Sequence, residues 1–388
     1  MRIADFSIDL KNTIRASARV IWEDCDRPEQ TIYFETLPEF SSDFTCNPEA
    51  FLIAGLLPAL KKGERRIALT EPVCPQLLDN LRVAVELVRS WRRRGIDRSL
   101  VIEATPLQQA AQTKKGAASL LSGGIDSLCT LWKNRTTVPR DHPASIKTCL
   151  TVLSPEIESE IKQCEGQVQP LLRVRDNLSN IAKSANVTLI PIFSNVRSLE
   201  EAWVRFWPTR YQAAAQLAPA HLFAKRISLV SIASSMPISA YVVGFGSHPL
   251  LDPLYGSYGI SVRHDGTEMT RLEKCRFLRD WDDGLRNLKV CNGNFNESGK
   301  SLLQSLVEYK NCGRCDKCIL TMVELEACGV LHKATFPTDT PLIDLISRIV
   351  IKYMDEYTCF TDTLGPLAAR GQDKLVTAIQ NRLELFEV

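Results

Sequence analysis

The sequence of 388 residues predicts an α/β protein, in which an N-terminal α+β domain precedes a doubly wound parallel sheet. Strand-like and helix-like segments alternate from residue 115 onwards, and such alternation is typical of a parallel sheet covered by helices on both faces. The first hundred residues are more mixed in pattern. The chain is also long enough for two or three compact units.

The N-terminal domain is assigned to residues 1–114. Asn47-Pro48-Glu49 opens a helix, because asparagine caps helices well and proline fits the first turn. Polar residues 106–115 lack apolar periodicity and are the best candidate for a linker. The predicted elements are strands at Ile14–Trp22 and Thr31–Glu35, a helix up to Lys62, a strand at Arg66–Thr70, a helix at Pro75–Arg94 and a strand at Leu100–Ala104.

The second domain is assigned to residues 115–335, and a helical tail to residues 336–388. Short apolar runs between helical segments give the second domain its βα rhythm. The predicted strands are Ala117–Leu121, Thr148–Leu153, Val187–Phe193 and Leu229–Ala233. The predicted helices begin at Asp126 and span Val174–Ser184 and Tyr211–Ala224, with Leu342–Asp355 and Asp373–Leu385 in the tail.

Composition excludes several classes of protein. The 47 basic and 45 acidic residues give a net charge of +2, which argues against a nucleic-acid coat or a membrane-surface protein. Residues 1–10 are charged and carry no signal-peptide core, and the uncharged run at 227–251 is broken by serine, proline and glycine. We therefore expect a cytoplasmic protein, in which thirteen cysteines do not form a disulfide framework.

A glycine-rich loop follows the first predicted strand of the parallel sheet. Its sequence is Ser122-Gly123-Gly124-Ile125-Asp126-Ser127. Glycines let a backbone approach a ligand closely, and the free N–H groups of a helix start attract phosphate. The motif is not a Walker loop, since the lysine is missing and the glycines are adjacent. The alternative is a tight turn in which Asp126 serves as a cap.

Four of the cysteines are clustered in sequence. Cys312, Cys315 and Cys318 lie at intervals of three, and Cys291 is the natural fourth ligand. The spacing predicts a closed structural zinc site, since no coordination position stays open to activate water. An iron-sulfur cluster is the main alternative, because it also takes cysteine thiolates at such spacings.

The S-G-G-x-D-S loop resembles that of the PP-loop ATP pyrophosphatases, whose sheet is of the HUP-like type. Together with the C…C-x-x-C-x-x-C pattern, it resembles the 7-cyano-7-deazaguanine synthase family over residues 115–334. The segment 270–274 (Thr-Arg-Leu-Glu-Lys) looks like the family's Thr-Lys-x-Glu element, and residues 246–252 lie where the family has its substrate loop. The match weakens there, because residues 248–252 depart from the family's Tyr-Pro-Asp-Cys-Arg pattern and the spacer after Cys291 is longer.

The resemblance implies the cofactors and the reaction. ATP and Mg²⁺ are expected on Ser122, Gly123, Gly124, Asp126 and Ser127, with the adenine along the strand that ends at Leu153. ATP would be split into AMP and pyrophosphate, so that a 7-deazaguanine carboxylate is activated for attack by an amine. The extra N-terminal domain is similar to that of longer relatives from antiphage operons of the type IV CBASS and Qat kinds. Those imply that the amine belongs to the N-terminus of a partner protein from the same operon.

Further site residues are predicted from their charge and position. Arg271 and Lys274 are candidates for holding phosphate, with an exposed helix pair as the alternative. Asp252 could accept hydrogen bonds from a guanine-like edge, and His248 could act as a base, although a lone histidine is more often structural. The last candidates lie at the end of the fourth strand and either line the pocket or cap the strand: Ser234 and Ser235.

Other functions stay open at this point. A housekeeping synthase would use ammonia and form the nitrile, and a PP-loop tRNA sulfur transferase would need a reactive thiolate and a basic surface. A scaffold that binds nucleotide without turnover is the alternative that involves no catalysis. The expected partners are the small-molecule acid and an acceptor protein, with a homodimer as a further expectation and no membrane or nucleic acid.

Overall fold

The computed structural model describes residues 1–11, 13–91, 99–107, 115–153, 169–200, 206–291, 311–337 and 339–386, with the backbone alone for 169–175. One mixed sheet of ten strands runs through the described residues, in the order β10-β9-β6-β7-β8-β3-β2-β1-β4-β5. The strands are β1 (Arg2–Asp9), β2 (Ile14–Ile21), β3 (Gln30–Thr36), β4 (Arg66–Leu69), β5 (Val101–Glu103), β6 (Gly116–Leu120), β7 (Ile146–Leu153), β8 (Thr188–Ser194), β9 (Ile227–Ala233) and β10 (Ser261–Asp265).

The five strands from β10 to β8 are parallel, as the alternation of elements predicts. Successive residues of β6 enter different cores: Ala117 faces a core with the helices that follow β6 and β7, and Ala118 faces the larger core on the other side. Helices therefore cover both faces of this half of the sheet, which is why its central strands β6 and β9 are mostly buried and apolar. The prediction of a mixed α/β fold with a mostly parallel sheet is confirmed.

The helices pack on these two faces and in the C-terminal tail. They are α1 (Pro48–Lys62), α2 (Pro75–Ser90), α3 (Ile125–Thr137), α4 (Gln169–Ser184), α5 (Gln212–Leu217), α6 (Arg271–Leu278), α7 (Asp282–Arg286), α8 (Asp316–Ala327), α9 (Leu342–Ile346), α10 (Met354–Ala369) and α11 (Asp373–Leu383). Of the described helices, none is both long and apolar enough to cross a lipid bilayer.

The N-terminal strands join the parallel strands edge to edge. β3 pairs antiparallel with β8, where Phe34 lies opposite Ser194 and Glu35 opposite Phe193. The side chain of Asn195 extends this seam, because its Oδ1 accepts the N–H of Tyr33 at 2.8 Å. A buried His221 also links the halves, with Nδ1 2.8 Å from the Glu49 carboxylate. The sheet is therefore continuous across the predicted boundary at residue 114, and the separate folding of the two parts stays a prediction.

Several predicted elements need correction. The expected helix Tyr211–Ala224 is three short pieces: a π-helical turn at Trp207–Tyr211, α5, and a 3-10 segment at Ala218–Phe223. The predicted tail helix Leu342–Asp355 stops at Ile346, and α10 starts only at Met354. Strands β1 and β10 carry many polar residues and were not predicted. Most of the predicted linker, like residues 92–94 of the second helix, lies outside the described residues.

Candidate functional site: a glycine loop, two joined cavities and a cysteine cluster

The glycine loop turns at the carboxyl end of β6. Gly123 has a φ of +78°, a left-handed conformation that glycine adopts without strain, and Gly124 caps α3. The Gly123 carbonyl accepts the backbone N–H of Lys289 at 2.9 Å, which ties the loop to the segment before Cys291. The start of α3 therefore faces the carboxyl edge of the sheet, where open α/β sheets bind ligands.

The two loop serines form a small hydrogen-bonded unit. Ser122 Oγ lies 3.1 Å from Ser127 Oγ, and Ser127 Oγ donates to the Gly124 carbonyl at 3.1 Å. The backbone N–H of Gly124 points at Ser122 Oγ, 3.4 Å away. Both hydroxyls and the Gly124 amide thus lie together at the start of α3, where a helix attracts a phosphate group.

Asp126 projects from the first turn of α3 and meets two cations of α6. Lys274 Nζ lies 3.0 Å from Asp126 Oδ1, and Arg271 Nη1 lies 3.5 Å from Asp126 Oδ2. The Lys274 side chain is only 1% exposed, and its ammonium also donates to the buried Ser234 carbonyl. Arg271 is 10% exposed, so neither cation faces water. The alternative of an exposed helix pair is therefore wrong, and both charges lie beside the loop.

Arg271 is fixed from α8. Its Nε donates to Glu324 Oε2 at 2.9 Å, and its Nη2 donates to Thr321 Oγ1 at 2.8 Å. Burial alone would lower the pKa of Arg271, but the carboxylates of Glu324 and Asp126 raise it. Burial raises the pKa of Glu324 to about 7, although Arg271 acts in the opposite direction. Because a guanidinium keeps its charge at all ordinary pH values, Arg271 supplies a fixed positive charge.

Two cavities open beside Asp126 and share a wall. The smaller, of ≈300 Å³, is lined by the glycine loop and by the carboxyl ends of β6, β7 and β9. The larger, of ≈660 Å³, extends to the C-terminal tail around α10. Both volumes fall within or at the edge of the range of about 300–1,000 Å³ that is usual for small-molecule sites. The residues that line both cavities are Asp126, Gln212, Ser235, Ser247 and Lys317.

The end of β7 forms the far wall of the smaller cavity. The pairing of β6 with β7 ends where Leu120 meets Leu150, and the backbone N–H of Leu121 donates to the Leu150 carbonyl. The chain then turns into the glycine loop, so residues 151–153 continue past the end of β6. Leu153 lines this cavity, as predicted for the strand end that would hold an adenine. A flat ring here and a phosphate at the loop would fit one elongated ligand.

Two of the predicted substrate residues use their side chains for contacts within the protein. Asp252 is fully buried: its Oδ2 accepts from Ser247 Oγ at 2.7 Å and from His264 Nδ1 at 2.6 Å, and its Oδ1 accepts the His248 N–H at 3.0 Å. The structure therefore does not place this carboxylate where it could meet a guanine edge. Its bonds instead hold the loop 247–252 against β10.

His248 is buried against aromatic rings. Its ring lies 4.7 Å from that of Trp91 and 5.0 Å from that of Tyr241, and its Nδ1 accepts the Leu250 N–H at 3.1 Å. Burial lowers the pKa of His248, although nearby Asp252 raises it. This environment matches the structural alternative rather than that of a base in contact with substrate.

The serine pair at the end of β9 divides between the two predicted roles. Ser234 is buried and its Oγ lies 2.6 Å from the Met236 carbonyl, which is a cap at the strand end. Ser235 instead lines both cavities. Ser235 therefore lies at the junction where a group from each cavity could meet.

The four predicted cysteine ligands come together. Their sulfurs all lie within 4.8 Å of one another, with 3.8 Å between Cys315 and Cys291 and 3.9 Å between Cys312 and Cys318. A tetrahedral zinc ion with Zn–S bonds of about 2.3 Å needs sulfurs about 3.8 Å apart. The backbone N–H groups of Arg314 and Cys315 point at Cys312 Sγ, as donors around bound thiolates do. The cluster could hold a metal ion such as zinc.

The cysteine cluster also fixes parts of the site. Asn311 Oδ1 accepts the N–H of Val290 at 2.9 Å, while Asn311 Nδ2 donates to the Leu288 carbonyl, so both arms of the cluster are clamped. Cys315 is the N-cap of α8, which carries Lys317 to both cavities and Glu324 to Arg271. Lys317 is exposed and lines both cavities. Partial desolvation lowers the pKa of its ammonium group, and the charge of Arg271 acts in the same direction.

Sequence reasoning missed several side chains at this site. Lys317 lies inside the cysteine motif, and its place one residue before Cys318 at a helix start was the available signal. Glu324 is a carboxylate in an apolar helix, which hints at a buried partner. Tyr241 gave no local signal, and Ser247 lies within the segment 246–252 but was not singled out there. No family model, curated protein or solved structure matches this chain.

Proposed function

We propose that this chain is a carboxylate-activating ligase that splits ATP into AMP and pyrophosphate. The observation that carries the proposal is the junction of two cavities at Asp126 and Lys317, beside a loop suited to phosphate. ATP would occupy the smaller cavity, with its adenine near Leu153. A 7-deazaguanine carboxylate such as 7-carboxy-7-deazaguanine would enter the larger cavity and meet the α-phosphate at the junction.

The reaction proceeds in two displacements. A carboxylate oxygen of the acid attacks the α-phosphorus, the bond to the β-phosphate bridging oxygen breaks, and pyrophosphate leaves. An amine then attacks the acyl carbon, AMP leaves with the C–O electron pair, and the amine loses a proton to water. Arg271 and Lys317, which line the larger cavity, supply the positive charge that stabilises phosphorus-bound oxygens, and buried Lys274 holds Asp126 beside them. Asp126 is the carboxylate that would hold a Mg²⁺ ion, and the ion would neutralise phosphate charge.

In this proposal the cysteine cluster holds zinc and is structural. Each cysteine of a four-iron cluster binds a different iron atom, which requires larger separations than those between sulfurs on one zinc ion. The observed distances of 3.8 and 3.9 Å therefore favour zinc. Four cysteines leave no open coordination position, so the cluster would position α8 rather than activate water.

The rim of the larger cavity supports a protein as the amine donor. Phe245, Val350 and Tyr353 line it and are 37%, 58% and 64% exposed, so the opening of this cavity carries three exposed large apolar side chains. An apolar rim suits a polypeptide whose N-terminal amine enters the cavity. We therefore propose that the amine belongs to the N-terminus of a partner protein from the same operon, as the resemblance to the antiphage proteins implies.

Sulfur transfer is less well supported. Cys359 lines the larger cavity outside the cluster, and burial raises its pKa to about 12, which is opposite to what a nucleophilic thiolate needs. An iron-sulfur absorption band in anaerobically purified protein would instead favour a sulfur transferase over the ligase.

Pyrophosphate release tests the proposal. The chain is incubated with ATP, Mg²⁺, 7-carboxy-7-deazaguanine and either ammonia or the co-encoded partner protein, and products are weighed by mass spectrometry. We expect pyrophosphate and AMP in equal amounts, and Asp126→Ala is expected to lower the rate by at least about 100-fold. Asp344→Ala removes an exposed carboxylate of α9 and is the matched control, expected to keep the wild-type rate. Absence of pyrophosphate with every amine tried would refute the ligase.

A further inference from the structure

The side chain of Tyr241 has an outer and an inner end. Its hydroxyl lies 2.8 Å from Ser234 Oγ and 3.1 Å from His264 Nε2, and both partners are buried. The hydroxyl is therefore the inner end. Because Tyr241 is half-buried and lines the larger cavity, the part that faces this cavity is the aromatic ring.

A chain of buried polar groups fixes this ring. Asp252 can only accept hydrogen bonds as a carboxylate, so His264 donates from Nδ1, and its Nε2 lies against the Tyr241 hydroxyl. The rings of His248 and His264 stand nearly perpendicular to Tyr241, at interplanar angles of 80° and 82°. A ring that is already immobilised loses little conformational entropy when a ligand binds against it.

The charges of the same cavity lie together. Arg271 and Lys317 line it beside Asp126, where the two cavities join, while Leu320 and Phe360 give it apolar wall. A ligand that satisfies both parts has a flat apolar ring and one negative group. An aromatic ring stacked on a tyrosine face is stabilised beyond simple apolar contact.

We propose that Tyr241 is the stacking platform of the larger cavity, and that the cavity selects planar aromatic carboxylic acids. The acid's ring lies on Tyr241 and its carboxylate points towards Lys317 and Arg271. The proposal rests on the ligase function and deepens it, because it assigns the residue that recognises the acid. The rings of His248 and His264 pack against this ring and hold its orientation.

Binding measured by calorimetry tests the platform without turnover. We expect Tyr241→Leu to weaken binding of 7-carboxy-7-deazaguanine by about 10-fold or more, while affinity for ATP is unchanged. Tyr241→Phe is the matched control: it keeps the ring and removes the inner hydroxyl, and we expect a change below about threefold. Unchanged affinity for the acid in the leucine variant would overturn the proposal, as would equal weakening for ATP.

A second measurement uses the wild-type chain and decides the question even if the leucine variant does not fold. The pair 2-naphthoate and decahydro-2-naphthoate has one carbon skeleton and one charge, but only the first is planar and aromatic. Stacking predicts tighter binding of 2-naphthoate, whereas simple apolar burial favours the saturated acid, and equal or reversed affinities would refute a platform. Failure of the ligase would look different: the planar acid would bind through Tyr241, yet no pyrophosphate would form.

Discussion

Lys274 lies where the glycine loop, β9 and α6 meet, and Lys274→Met tests what holds them together. The substitution keeps an unbranched side chain of similar length and removes the ammonium group. Two interactions are lost: the ion pair to Asp126 Oδ1 at 3.0 Å and the hydrogen bond to the Ser234 carbonyl. Methionine can fill the vacated space, so the expected effect comes from the polar groups that lose their partner.

The magnitude follows from how each partner can recover. Asp126 is 21% exposed and keeps Arg271 at 3.5 Å, so part of its carboxylate can be rehydrated. The carbonyl of buried Ser234 has no such route, and an unsatisfied buried acceptor costs about 1–3 kcal/mol. We therefore expect the free energy of unfolding to fall by about 2 kcal/mol. Lys333→Met is the matched control: Lys333 is 29% exposed and pairs with Asp282 at 2.7 Å, and we expect a loss below about 1 kcal/mol.

Urea unfolding followed by tryptophan fluorescence measures both variants, with midpoints compared only where the slopes agree. The same proteins are then titrated with ATP. Because Lys274 holds Asp126, which lines both cavities, its loss predicts about 10-fold weaker ATP binding for Lys274→Met and no change for Lys333→Met. If the two variants unfold at the same urea concentration, or if Lys274→Met binds ATP as wild type does, our account of this residue is wrong.

Three further predictions concern the metal, pH and the sheet seam. Elemental analysis of the purified protein should find about one zinc ion per chain. Cys315→Ser should lose this zinc, while Cys328→Ser should keep it. Absence of zinc from both the wild-type protein and Cys328→Ser would contradict the zinc assignment. The pKa of Lys317 is lowered, so its charge is lost as pH rises through a value below the ordinary 10.5. Lys317→Arg should therefore move the alkaline limb of ATP binding to higher pH. An unmoved limb would contradict a role for the Lys317 charge in ATP binding. Asn195→Ala removes hydrogen bonds to the Tyr33 N–H and to the Thr31 carbonyl. It should lower the free energy of unfolding by about 1–3 kcal/mol in the same urea assay. A smaller loss would show that the pairing of β3 with β8 is stable without this side chain.

The parts of the site that could be predicted from the sequence are local. The glycine loop lies within six residues, and three of the cysteine ligands lie within seven. Their geometry is set by short-range backbone constraints, such as the positive φ of Gly123 and Gly313. At Gly313 an added Cβ would lie 2.9 Å from Pro337, which explains why glycine stands between two ligands. The spacing in the sequence is therefore enough to predict that these groups lie together.

The parts that could not be predicted depend on β10. Its sequence, Ser-Val-Arg-His-Asp, has four polar residues in five and gives no strand pattern, yet it pairs in parallel with β9 over its full length. This pairing puts His264 beside Asp252 and Tyr241. The prediction that Asp252 meets the substrate rests on its place in the segment 246–252, and the structure instead pairs this carboxylate with His264.

The N-terminal half changes what the extra length of the chain implies. Because β3 pairs with the outer edge of β8, and α1 packs in the same core as β6, residues 1–114 cover surface that the parallel sheet would otherwise expose. An uncovered strand edge invites aggregation, so this region has a structural task whatever the acceptor is. The additional domain therefore does not by itself indicate a protein substrate. The exposed apolar rim formed by Phe245, Val350 and Tyr353 is the stronger argument, since these side chains lie at the mouth of the cavity and on no described strand.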